Sequence, residues 1–183
     1  MSKRSIVRWP TVRWSIVSIA AVAVLALATA AAPIGSQAQD TLTILGPAAM
    51  QKLMPPEVFY RGQVATTQLR NSGGVKFSDG YYVLAGLVDT SGYSTGVAAK
   101  YQAYFIAEVP IHVSGTKLAA GVYGIGFIAG SRFVVTDVGA HDVLTVSSQK
   151  DSGLKRPVPL QVVAEPGGRF RLYCGRTYVT MNR

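Results

Sequence analysis

The stretch 117–138, KLAAGVYGIGFIAGSRFVVTDV, constrains the fold more than any other part of the chain. Two strand-forming arms flank Gly130-Ser131, and a tight loop there sets Ala129 opposite Arg132, Ile128 opposite Phe133, Phe127 opposite Val134 and Gly126 opposite Val135. In that register Tyr123, Ile125, Phe127 and Val134 share one apolar face, while Ile128, Phe133 and Val135 share the other with Gly124 and Gly126. A strand apolar on both faces belongs in the interior of a sandwich or a closed barrel.

The beginning of the chain differs in kind. Lys3, Arg4, Arg8 and Arg13 precede an apolar run over 15–32 dominated by Ala, Val, Ile and Leu, and Ser36-Gln37-Ala38 then supplies small residues for a signal peptidase. This order reads as a cleaved secretory signal over 1–38, with a single β domain over 39–183 beginning at Gln39. The apolar run also reaches the length that spans a bilayer, but its Ala content and the small-residue site favour removal over a retained anchor. No Cys near the cut argues for a lipoprotein, and no Arg-Arg pair for twin-arginine export. The expected destination is the periplasm or the cell exterior, with no integral membrane segment after cleavage.

Charge is unevenly spread over the remaining chain. Residues 39–149 hold seven basic and seven acidic side chains, whereas 150–183 hold seven basic and two acidic ones, so the last fifth carries the whole excess. Arg169, Arg171 and Tyr173 alternate along one strand with Arg176 close behind, a basic face with one aromatic. Such a face suits an anionic envelope lipid or polysaccharide, bound without nucleic-acid sequence selectivity. A solvated outer strand face has the same pattern. Cys174 is the sole cysteine and alternates with Phe170 and Leu172, which reads as an apolar core position and leaves the fold without a disulfide.

Elsewhere the pattern is one of short strands. Residues 41–45 are strand-like, Gly46-Pro47 opens a short helix over 48–54, and Pro55-Pro56 ends it. An extended stretch over 58–69 is broken by Asn71-Ser72-Gly73-Gly74. A second hairpin turns at Asp79-Gly80, setting Phe77 opposite Tyr82 and Val75 opposite Leu84. Residues 89–96 form a polar loop. Residues 97–109 combine helix-favouring Ala with strand-like alternation of Tyr101, Ala103, Phe105, Ala107 and Val109, and strand is the reading adopted. Strands over 143–147, 158–164, 169–174 and 177–181 complete the chain. About nine short strands and one short helix near the start of the mature chain predict an all-β fold, an antiparallel sandwich or barrel.

Candidate chemistry is sparse. Leu87-Val88-Asp89-Thr90-Ser91-Gly92 resembles the active loop of aspartic proteases, in which the Asp shares a proton with a second Asp. The resemblance covers these six residues, and Ser91 stands where that family has Gly. It implies Asp89 and Thr90 as catalytic residues of a hydrolase that dimerises to bring in the second carboxylate. A plain turn in which Asp89 bonds its own backbone is the alternative. Asp137, His141 and Asp142 match no known metal frame, and no cofactor motif is present. Gly124 and Gly126 lie on one strand face, where glycine admits either a covering aromatic or a closely approaching ligand. Tyr81, Tyr93, Tyr101, Tyr104, Tyr173 and Tyr178 suit ligand recognition and strand packing alike. The reading that follows is an exported non-catalytic binding or structural module, with the protease-like hydrolase as its rival.

Overall fold

The computed structural model of the protein describes residues 41–183; the leader expected over 1–38 lies outside the described residues. β1 (Thr43–Leu45) runs into α1 (Pro47–Leu53), whose first turn accepts Pro47 because no helical bond needs its missing N–H. β2 (Glu57–Tyr60) and β3 (Gln63–Lys76) form a hairpin around Arg61-Gly62, both with left-handed φ. β3 does not break at Asn71-Ser72-Gly73-Gly74 as the composition had implied. Thr67 pairs with Val88 and Ser72 with Gly86, so residues 68–71 lie opposite Leu87 alone and the strand bulges instead of ending. The Ser72 hydroxyl closes the bulge by donating to the Leu69 carbonyl.

β4 (Tyr82–Val88) is followed by α2 (Thr95–Lys100) and β5 (Ala103–Ala107). The strand expected over 97–109 is therefore half helix. The Ser94 carbonyl accepts from Val97 and Ala98 and starts the helical turn, and alternation takes over where Ala103, Phe105 and Ala107 point into the core. β6 (Ile111–Val113) and β7 (Thr116–Leu118) turn at Ser114-Gly115. β8 (Gly121–Ile128), β9 (Arg132–Thr136) and β10 (Asp142–Ser147) form a meander. β11 (Gln149–Lys150), β12 (Gln161–Glu165), β13 (Arg169–Cys174) and β14 (Thr177–Asn182) end the chain.

Fourteen strands and two helices among the described residues replace the expected nine and one. They make two antiparallel sheets, β1-β3-β4-β5-β8-β9-β10 with β2 also on β3, and β12-β13-β14-β6-β7 with β11 on β14. Neither sheet closes, so the fold is a sandwich and not a barrel. β10 ends the first sheet, and its register shifts between Asp142 and Leu144, placing Val143 in a bulge.

Both hairpin registers differ from the expected ones by one residue. Ile128 pairs with Arg132, Phe127 with Phe133 and Gly126 with Val134 around a three-residue loop, 129–131. Val75 pairs with Val83 and Lys76 with Tyr82, and Phe77 N–H donates to the Tyr81 carbonyl around residues 78–80. An odd loop in place of a two-residue turn slips the pairing by one, which regroups the faces. Phe133 and Val135 thus join Tyr123 and Ile125 in the main core, against Ile111, Phe170, Leu172, Val179 and Met181 of the second sheet. Gly124 and Gly126 share the opposite face with Val134 and Thr136. That face is covered too, by a smaller cluster of Val58, Tyr60, Ala65, Val88 and Tyr101. β8 is apolar on both sides because it lies between two cores.

Candidate ligand cleft

The second core is built on tyrosines. Tyr60, from the end of β2, stacks on Tyr101, just after α2, with ring centroids 3.7 Å apart and planes 11° from parallel. Tyr93 sets its edge against both, at 6.0 Å and 5.4 Å, and its hydroxyl donates to the Tyr60 carbonyl. The Thr136 hydroxyl spends its one proton on the Gly124 carbonyl, so in the 2.6 Å bond between Tyr60 and Thr136 the tyrosine donates. The Tyr101 hydroxyl is buried without a partner. Burial pushes the Tyr60, Tyr93 and Tyr101 hydroxyls above the usual tyrosine pKa.

Beside this platform opens a cleft of about 300 Å³, lined by Tyr60, Arg61, Ser94, Val97, Lys100 and Thr136, with Gly96 and Ala140 at its margins. Arg61 reaches it from a turn in left-handed conformation (φ 47), pinned by its own N–H to the Val138 carbonyl at 2.8 Å. Ser94 and Lys100 come from the two ends of α2. Lys100 holds Asp142 at 2.7 Å. Arg61 has no ion-pair partner among the described residues. The lining offers cations and hydroxyls and contains no carboxylate, imidazole or thiol. Such a set suits oxygen acceptors.

The glycines singled out in the sequence sit under this region. A Cβ on Gly124 would stand 2.7 Å from the Tyr60 ring, 2.8 Å from Tyr101 and 2.8 Å from the Thr136 hydroxyl, while one on Gly126 would meet the Lys100 carbonyl. Their space is taken by the chain itself, so they seat the aromatic floor and α2. Neither lines the cleft. Of the six tyrosines, Tyr101, Tyr173 and Tyr178 are buried, and Tyr81 is the one left half exposed.

Asp89 and Thr90 form a turn. The Asp89 carboxylate accepts from Ser91 N–H at 3.0 Å, and the Thr90 carbonyl accepts from Tyr93 N–H. The Ser91 backbone N–H, with its hydroxyl, holds the Asp89 carboxyl below the usual carboxylate range. Asp137 likewise accepts from Gly139 N–H, His141 N–H and the His141 ring, an exposed loop cluster. No group of three metal-ligating side chains exists among the described residues.

The basic C-terminal face is engaged internally. Arg171 pairs with Glu165, bonds the Tyr173 hydroxyl and lies over the Tyr178 ring at 4.4 Å. Tyr173 in turn donates to Asp151 at 3.0 Å. Arg176 donates to the Ser152 and Leu154 carbonyls and so fastens the loop after β11. Arg169 stands 3.9 Å from Glu165 and remains mostly exposed. Cys174 is half-buried beside Leu87, Ile125, Phe127 and Leu160, and burial pushes its thiol pKa up.

Sequence reading missed the Arg61 cleft. Its signal was there in Arg61-Gly62, a dipeptide turn between two strands, but that turn joins elements read as one extended stretch. Comparison with protein-family models, with curated proteins and with solved structures finds no match. The chemistry of the cleft is accordingly read from its own residues.

Proposed function

We propose that the protein is an exported, non-catalytic module of the cell envelope that binds a small acidic ligand, of the size of one carboxylated sugar, in the Arg61 cleft. The observation that carries this reading is an Arg61 free of ion pairs among the described residues, in a cleft whose lining includes no carboxylate. A guanidinium grips a carboxylate through two parallel N–H bonds, which gives orientation as well as attraction. Ser94 adds a hydroxyl for the same ligand, and Lys100, paired with Asp142, a second cation beside it. A volume of about 300 Å³ lies at the small end of ligand pockets. Export follows from the basic, apolar and small-residue order of 1–38, and envelope polysaccharides supply acidic sugars of this class.

Calorimetry with glucuronate, galacturonate and glucose tests the reading. An acidic sugar is expected to bind, glucose to bind at least tenfold more weakly, and Arg61→Gln to remove the difference. Equal binding of glucose and glucuronate, or unchanged binding by Arg61→Gln, defeats it. The rival protease reading has its own test, since peptide cleavage at acid pH that Asp89→Asn abolishes would establish it.

A further inference from the structure

A larger groove opens where the edges of the two sheets meet. One wall is β1 and the start of α1, with Ile44 and Pro47; the other is the run 158–162 that leads into β12; the bulge of β3 supplies Arg70 and Gly73 between them. Its volume is about 380 Å³, within the range of small-molecule pockets. Gly73 allows the two sheets to approach here, because a Cβ on it would stand 3.2 Å from the Val162 backbone nitrogen.

The groove is apolar with a polar end. Ile44 and Val158 line it and stay 37% and 41% exposed. The polar atoms divide into spent and unspent. Asn71 donates to the Gln68 side chain and Ser72 to the Leu69 carbonyl. Arg70 has no ion-pair partner among the described residues, and the Gln161 side-chain nitrogen is buried with nothing to donate to. Arg70, the one charged side chain of the lining, thus stands unpaired beside an apolar slot, on a bulge of the sort that is found next to binding sites.

We propose that this groove is a second binding site, for a single-chain amphiphile with an anionic head: a fatty-acid-like carboxylate whose chain lies along Ile44, Pro47 and Val158 and whose head is met by Arg70. Charge complementarity selects the head, since Arg70 is the groove's one charged side chain. The apolar walls select the tail. The Arg61 cleft is lined by different residues and plays no part, so the two readings stand or fall separately.

The test is titration of the full protein, as produced by its own host, with decanoate and with decanol. Decanoate is expected to bind saturably at one per chain, and decanol at least tenfold more weakly. Arg70→Gln should weaken decanoate about tenfold, equivalent to about 1.4 kcal/mol, and leave decanol unchanged. Val158→Asp, also an exposed position, should weaken both, and Arg61→Gln neither. Melting curves of each variant separate loss of the site from loss of the fold. Absence of saturable decanoate binding overturns the proposal; so does equal affinity of wild type and a folded Arg70→Gln protein, and so does decanol binding as tightly as decanoate.

Discussion

Tyr60 and Tyr101 stack face to face at 3.7 Å, and the edges of both rings fill the space that any side chain on Gly124 would need. The pair ties the β2–β3 hairpin to the start of β5 over a strand that has been pared back to hydrogen atoms to receive it. Glycine inside a strand gives up roughly 0.5–1 kcal/mol relative to alanine. Stacked aromatic rings return a similar amount beyond the area they bury.

Gly124→Ala and Gly126→Val should therefore each lower stability by about 1–3 kcal/mol through overpacking. The second is the more severe, because the obstacle at Gly126 is the Lys100 backbone and not a side chain that can turn away. Thermal or urea unfolding checks both, and an unchanged midpoint for either would show that α2 and the tyrosines sit higher off the sheet than described.

Tyr101→Phe is expected to leave stability unchanged or raise it, since the hydroxyl it removes is buried and bonded to nothing. A loss above about 1 kcal/mol would reveal a partner for that hydroxyl, such as a bound water.

The tyrosine cluster also sets an alkaline limit. Its hydroxyls have pKa values raised by burial above the unfolded value of 10.0. The folded state then holds those protons more tightly than the unfolded one, and stability falls as pH rises past about 10. Melting temperatures between pH 8 and 11 should drop, and less steeply in Tyr101→Phe. A flat profile contradicts this.

Asp89 and Asp137 act at the other end. Both have carboxyl pKa values held below 3.8, by Ser91 and His141 respectively, so what they contribute is present above pH 3.8 and lost as pH falls. The melting difference between wild type and Asp137→Asn should be measurable at pH 7 and shrink steadily as pH falls below 3.8.

Arg176→Ala should free the loop after β11 by removing its bonds to the Ser152 and Leu154 carbonyls. Trypsin should then cut faster after Lys155, the bond after Arg156 being protected by Pro157. Identical digestion of wild type and variant would mean the loop is held by other contacts.

How much of this was legible in the sequence depends on the range of the interaction. Alternation of apolar residues revealed the strands of the last third and the central hairpin, because a period of two reports burial locally. Residues 169–174 and 177–181 needed nothing else. Register was less legible: Ser78-Asp79-Gly80 forms a three-residue loop where Asp79-Gly80 alone reads as two, and one residue moves Phe133 from one face to the other. The Asn71-Ser72-Gly73-Gly74 run looked like a break because bulging depends on the neighbouring strand. Among site residues, Arg169, Arg171 and Arg176 were found by charge counting, but their partners Glu165 and the Ser152 and Leu154 carbonyls come from other elements. Arg61, Lys100 and Thr136 meet only in three dimensions, and no spacing along the chain announces them.

Among the described residues β10 leaves one row of backbone groups on the first sheet with no strand beside it, an invitation for a neighbouring molecule to add its own. The bulge at Val143 breaks the flatness such stacking requires, and the ion pair from Lys100 to Asp142 sets a charged, hydrated obstacle at the same end. The bulge thus turns this edge away from the flat pairing by which a second chain would extend the sheet.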